Sequence, residues 1–301
     1  ADALSLLQPY LKSGAADASN AELTTTYARA LIAVAREDDA AAFLSPLAQK
    51  SADWRSKWLS LAIVTHSDAA GAMAWVRRVV PMIPTDSVAE QCLLANTWYN
   101  IGVRYSNTDA YTQAQAVLSP LSGRNDLPPD TLMTLASAMD QAGDKKGAEQ
   151  MYRRVLQGNP HMAPAQNNLA YLLLMKNDPS ALGEAENLAK SAVAAAPKDP
   201  QTGPYYDTLA RVYVKESQTA AAEAAFAQAT TLQPWNVDAL IGLGDARISL
   251  NQVDKAGEAL AQIDALVRNG TIALSADQQR QVENLRDACK SIVRNPVTGT
   301  N

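Results

Sequence analysis

Three segments of the chain are written to one plan: AEQMYRRVLQGNP at 148–160, AENLAKSAVAAAP at 185–197 and AEAAFAQATTLQP at 222–234. Each opens on Ala-Glu and closes on proline thirteen places in, and the step is constant: 185 − 148 = 37 and 222 − 185 = 37. A helix with its stop signal, repeated at a fixed interval, is the signature of a stacked array, in which each unit buries its apolar face only against a copy of itself. The composition agrees. Hydrophobic residues make up 47% of the chain and aromatic ones only 6%, a mix dominated by Ala, Leu and Val that favours close helix–helix packing over a β-rich core.

The block 129–160, PDTLMTLASAMDQAGDKKGAEQMYRRVLQGNP, shows how one unit works. Leu132, Leu135, Ala136 and Met139 recur at steps of three and four and define one face of a helix. Gly143 falls where a helix end commonly needs positive φ. A second helix carries Ala148, Met151, Tyr152 and Val155 and stops at GNP. Two amphipathic helices on a short turn form an antiparallel hairpin whose outer side needs another hairpin.

These residues resemble the tetratricopeptide repeat, a helix–turn–helix unit of about 34 residues. Its pattern of large and small residues with a closing proline is met by Leu132, Leu135, Ala136, Met139, Ala148, Tyr152, Val155 and Pro160. Block 203–234 matches through Tyr206, Leu209, Ala210, Tyr213, Ala222, Phe226, Ala229 and Pro234, and block 163–197 through Leu169, Ala170, Leu173, Ala185, Ala189, Ala192 and Pro197. Block 237–266 matches through Leu240, Leu243, Gly244, Ala256, Leu260 and Ile263, with Arg247 in place of the usual Tyr. The resemblance implies an all-α fold, a right-handed α-solenoid of antiparallel helix pairs. Four units are expected over 129–266 (129–160, 163–197, 203–234 and 237–266).

Residues 1–128 read as divergent repeats of the same kind, with Pro9, Pro46 and Pro120 spaced 37 and 74, and with outer helices near 22–36, 54–66 and 87–106 alternating with the proline-bearing ones. The opening ADALSLLQPYL reads as the second helix of a pair whose first helix is missing, which makes the chain a piece of a longer array. The segment 267–294 reads as a capping helix, with Ser275 and Gln278 set for a capping box and Val282, Leu285, Cys289, Ile292 and Val293 as its apolar stripe. The tail 295–301 is expected to be loose.

Charge and motifs exclude several functions. A net charge of −5 and a pI near 5.1 give no basic footprint for nucleic acid. No apolar run approaches the ~18 residues of a membrane span, so direct insertion is not expected. Cys92 and Cys289 read as two small buried hydrophobes. His66 and His161 have no Asp, Glu or Cys at metal spacing, and GLG at 242–244 lacks the strand and the third glycine of a dinucleotide loop. No cofactor, metal or catalytic residue is assigned, and the chain reads as no enzyme.

What the resemblance does imply is a protein or peptide partner, held on the concave surface lined by the first helix of each unit. Carried onto this sequence, the partner-facing positions are Met133, Thr134, Ser137 and Asp140; Asn167, Asn168 and Tyr171; Asp207, Thr208 and Arg211; Ile241 and Asp245. Asn168 has the chemistry to donate to and accept from a peptide backbone at once. Arg211 is set to pair within the chain to Asp207 or Asp245. The two-carboxylate clamp of chaperone-binding relatives is not matched at Pro204 and Thr208. The NNLAYLLL helix further resembles those of bacterial repeat proteins in envelope assembly and exopolysaccharide export, which implies a periplasmic or envelope-associated scaffold. The alternative is a spacer or oligomerisation domain within a larger enzyme or secretion protein.

Overall fold

The computed structural model describes residues 3–7, 20–176 and 178–294. Among them the chain is built from α-helices with short 3-10 turns and contains no strand. The helices are α1 (Ala3–Leu7), α2 (Ala21–Ala33), α3 (Glu37–Ala48), α4 (Ala52–Thr65), α5 (Ala69–Val79), α6 (Val88–Tyr105), α7 (Thr108–Leu118) and α8 (Pro129–Ala142). They continue with α9 (Lys145–Gly158), α10 (Ala163–Met175), α11 (Pro179–Ala195), α12 (Gly203–Lys215), α13 (Thr219–Leu232), α14 (Val237–Ser249), α15 (Val253–Arg268) and α16 (Ala276–Arg294). The second part of the expected opening helix, 8–11, and the tail 295–301 lie outside the described residues.

Two compact units divide within α9, between Arg154 and Val155. In the first, α2 packs on α3, α4 on α5, α6 on α7, and α8 against α7. In the second, α10 packs on α11, α12 on α13 and α14 on α15, with α16 against both α14 and α15. The paired-helix, all-α solenoid expected from the repeat is the fold that forms.

One turn geometry serves both units. Ala35, Ser106, Gly143, Ser217 and Asn251 each adopt a left-handed backbone, with φ of 59°, 50°, 95°, 60° and 58°. In each case the next residue donates its N–H five residues back: Arg36 to Leu31, Asn107 to Gly102, Asp144 to Met139, Gln218 to Tyr213 and Gln252 to Arg247, at 2.8–3.0 Å. This is the closure that satisfies orphan carbonyls at a helix end. Only Gly143 is the residue type such a backbone favours.

The first unit buries Trp54, Trp58, Trp75 and Trp98. Trp58 and Trp75 stack with ring centroids 4.9 Å apart. The Trp58 indole donates to the carbonyl of Trp75 at 3.2 Å and the Trp75 indole to that of Trp58 at 2.9 Å. Each polar tip of a buried aromatic thereby finds an acceptor. Nearby, Arg55 forks onto Glu90 at 2.5 and 2.9 Å and donates to the Ala48 carbonyl at 2.8 Å. The hydrogen bonding between Arg55 and Glu90 raises the Arg55 pKa and lowers that of Glu90 against the opposing effect of burial.

The second unit packs on alanines instead: Ala185, Ala189, Ala222, Ala229 and Ala256 are fully buried. Helix α16 closes the stack, and Leu285 occupies the space a side chain at Gly244 would need. Its start is a reciprocal capping box, with Gln278 N–H donating to Ser275 Oγ at 3.2 Å and Ser275 N–H to Gln278 Oε1 at 3.1 Å. Cys92 and Cys289 are free thiols, half-buried where full burial was expected; Cys289 packs against the cluster of Val282 and Leu285.

Candidate partner-binding cleft

In the second unit the first helices of the pairs, α10, α12 and α14, together with α13, enclose a cleft of about 310 Å³. Its walls are Leu174 and Met175 from α10, Val214 from α12 and Ala246 from α14, with Phe226 of α13 beneath. Gly242 explains how Phe226 reaches the cleft: a Cβ there would collide with the phenyl ring. Polar groups are few, chiefly Arg211, Asp245, Lys215, Thr219 and Ser249. An apolar hollow with a small number of placed polar groups is the usual form of a binding site.

Arg211 pairs with Asp207 one helical turn back at 2.8 Å. Burial lowers its affinity for the proton, but the hydrogen bond to Asp207 and the charges of Asp207 and Asp238 more than offset that and hold the pKa above its ordinary value. Asp207 keeps one carboxylate oxygen, Oδ1, buried with no hydrogen-bond partner. Asp245 has no ion pair among the described residues, and although water reaches its carboxylate, the protein around it withdraws enough solvation to push its pKa up.

The remaining expected partner-facing residues divide. Tyr171 is exposed to 41% and near enough to influence Arg211 electrostatically. Asn168 accepts a hydrogen bond from Asn167 Nδ2 at 3.2 Å, so part of its capacity is used locally. Asn167 itself is buried, with its Oδ1 unpartnered. In the first unit, Met133 is half-buried and Ser137 is buried, its hydroxyl bonded to the Tyr152 hydroxyl at 3.1 Å, so Ser137 ties α8 to α9. The repeat position expected to face a partner is thus buried in this unit, where its hydroxyl meets that of the buried Tyr152. Ile241 and Thr208 are likewise buried.

Sequence reasoning missed the apolar part of the cleft: Leu174, Met175, Val214 and Phe226. A signal existed in the spacing, since Met175 and Val214 follow Tyr171 and Arg211 by one turn on their helices, and the structure leaves them exposed to 48% and 53%. Among the described residues no group of three metal-capable side chains gathers, and no helix is long and apolar enough to cross a membrane.

Paired helices stacked in register, with a cleft along the first helix of successive pairs, define a helical-repeat protein. The tetratricopeptide repeat family matches residues 133–200 and 213–276. Those two segments therefore carry repeats of the tetratricopeptide kind. Among solved structures it is similar to PilW, titled a widely conserved type IV pilus biogenesis factor, at 17% identity over 68% of this chain and 95% of that one, with a TM-score of 0.51. It is also similar to PilF of Pseudomonas aeruginosa, at 17% identity over 68% and 93% of the two chains, TM-score 0.50. MamA from Desulfovibrio magneticus RS-1 is 21% identical over 60% and 96%, TM-score 0.49. A search of curated proteins gives no match.

Proposed function

We propose that the chain is a non-catalytic scaffold that binds a segment of a partner protein along the first helices of its second unit. One observation carries this reading: the apolar cleft on α10, α12 and α14, continued by the exposed side chains of Tyr171, Met175 and Val214. Exposed apolar side chains gathered on one surface mark interaction sites, and aromatic and methionine side chains are those enriched at protein interfaces. Tyr171, Arg211, Asp207 and Asp245 supply the polar contacts around that strip, and Met133, Ser137, Asn167 and Asn168 are not among its lining residues. A setting in a bacterial envelope or export assembly belongs to the same proposal, as does the division into divergent repeats over 1–128, four units over 129–266 and a cap over 267–294.

A photo-crosslinking residue at Tyr171, compared with one at the exposed Gln228 of α13, tests the reading in the native cell. Adducts with another protein from position 171, lost on Met175→Ser with Val214→Ser, are the expected result. Equal adducts from both positions would refute the cleft. Adducts only with further copies of this chain would favour the alternative, an oligomerisation domain.

A further inference from the structure

The cleft is unbalanced in one chemical respect: it presents a carboxylate, that of Asp245, to which no described residue brings a donor. Asp245 stands on its wall with no ion pair or side-chain hydrogen bond among the described residues. On the helices beside it, Asp207 Oδ1 and Asn167 Oδ1 are buried acceptors without a donor. The cation nearest to hand, Arg211, is already committed to Asp207. Lys215, the other cation lining the cleft, is exposed at the C-terminal end of α12, one turn past Arg211.

Resting on the reading of this cleft as a protein-binding site, we propose that its occupant is a segment of a partner protein that places a lysine or arginine on Asp245 and apolar side chains against Phe226, Leu174 and Val214. The reasoning is electrostatic complementarity. Asp245 is open to water but receives no counter-charge from the chain, and an occupant that covers the apolar walls also takes that water away, so a cation brought by the partner keeps the carboxylate compensated. The solvation already withdrawn by the surrounding protein raises the Asp245 pKa. A segment that set an acidic side chain beside Asp245 would meet a like charge there, so the residue selects which side chain can lie at that wall. The apolar neighbours of the cation fill the floor that Gly242 opens to Phe226.

Selection from a displayed library of random 12-residue peptides on the full chain tests this. The native chain is expected to enrich peptides with a basic residue next to apolar ones, and Asp245→Lys to enrich acidic ones. Fluorescence anisotropy of an enriched peptide should show about tenfold weaker binding to Asp245→Asn, with an unchanged circular dichroism spectrum. Enrichment of neutral or acidic peptides by the native chain, or equal affinity for Asp245→Asn, overturns the cation claim and leaves the cleft standing. If no enriched peptide loses affinity on Met175→Ser with Val214→Ser, the cleft and the inference fall together.

Discussion

The first unit holds its helix pairs together with large, specifically hydrogen-bonded side chains, whereas the second does so with evenly spaced alanines. Four of the chain's five tryptophans are buried in the first unit, and the Arg55–Glu90 pair is enclosed there. In the second, Ala185, Ala222 and Ala256 mark the helix crossings, and its tryptophan, Trp235, is exposed. Yet the turns are the same. Counting from the left-handed residue of each turn, the position five residues on is Ala40, Ala148, Ala222 and Ala256, small in every case. In α6–α7 it is Tyr111, and the position four residues before the turn, elsewhere Leu31, Met139, Tyr213 or Arg247, is Gly102. The Tyr111 ring lies where a Gly102 side chain would be. Large and small have changed places across one contact, volume is conserved, and the hairpin survives. Backbone closure of the turn is thus the shared element, and the packing code above it can be rewritten.

The sharpest way to break this contrast is in the first unit. Trp75→Ala is expected to cost ~3–5 kcal/mol, because it leaves a large cavity and removes the indole that donates to the Trp58 carbonyl; urea unfolding measures it. Arg55→Ala should cost ~3–5 kcal/mol for a different reason, an enclosed Glu90 left without its partner. The Glu90 pKa is depressed in the folded state, so its contribution is present above the unfolded value, about 4.3, and is lost as pH falls through the lower folded value. Melting temperatures across pH 3–6 should therefore converge at the acid end between the native chain and the double variant Arg55→Met with Glu90→Met.

Smaller effects sharpen the comparison in both units. Ala222→Leu should overpack the α12–α13 crossing by ~1–3 kcal/mol, and Ala148→Leu should do the same at α8–α9. Swapping Tyr111→Ala together with Gly102→Tyr, which rewrites the first unit in the second unit's code, should cost less than either change alone if volume is what matters. The smallest expected change is a gain. Asp245 carries a raised folded pKa, so its ionisation opposes folding once pH exceeds the unfolded value of about 3.9. Asp245→Asn should raise the melting temperature slightly at neutral pH and leave it unaltered at pH 3.

Much of this architecture was legible in the letters. A period of 37, prolines that end helices, and Ala-Glu starts announce paired helices and their stacking, and Ser275 with Gln278 announces the start of α16. The degenerate turns were harder. Ala35, Ser106, Ser217 and Asn251 take a glycine-like backbone that their side chains do not advertise. At the cleft, Arg211, Asp207 and Asp245 could be chosen from the repeat pattern. That Ser137 would turn inward to Tyr152 could not, because the choice depends on a hydroxyl arriving from the next helix.

Periodicity is local information, so the sequence by itself determined which residues form helices, where those helices stop, and which small residues mark the crossings. Burial and the pairing of polar groups depend on what other helices bring alongside. Only the tertiary structure decided that Phe226 shows through at Gly242, that Arg211 is spent on Asp207, and that Asp245 stands without a counter-charge.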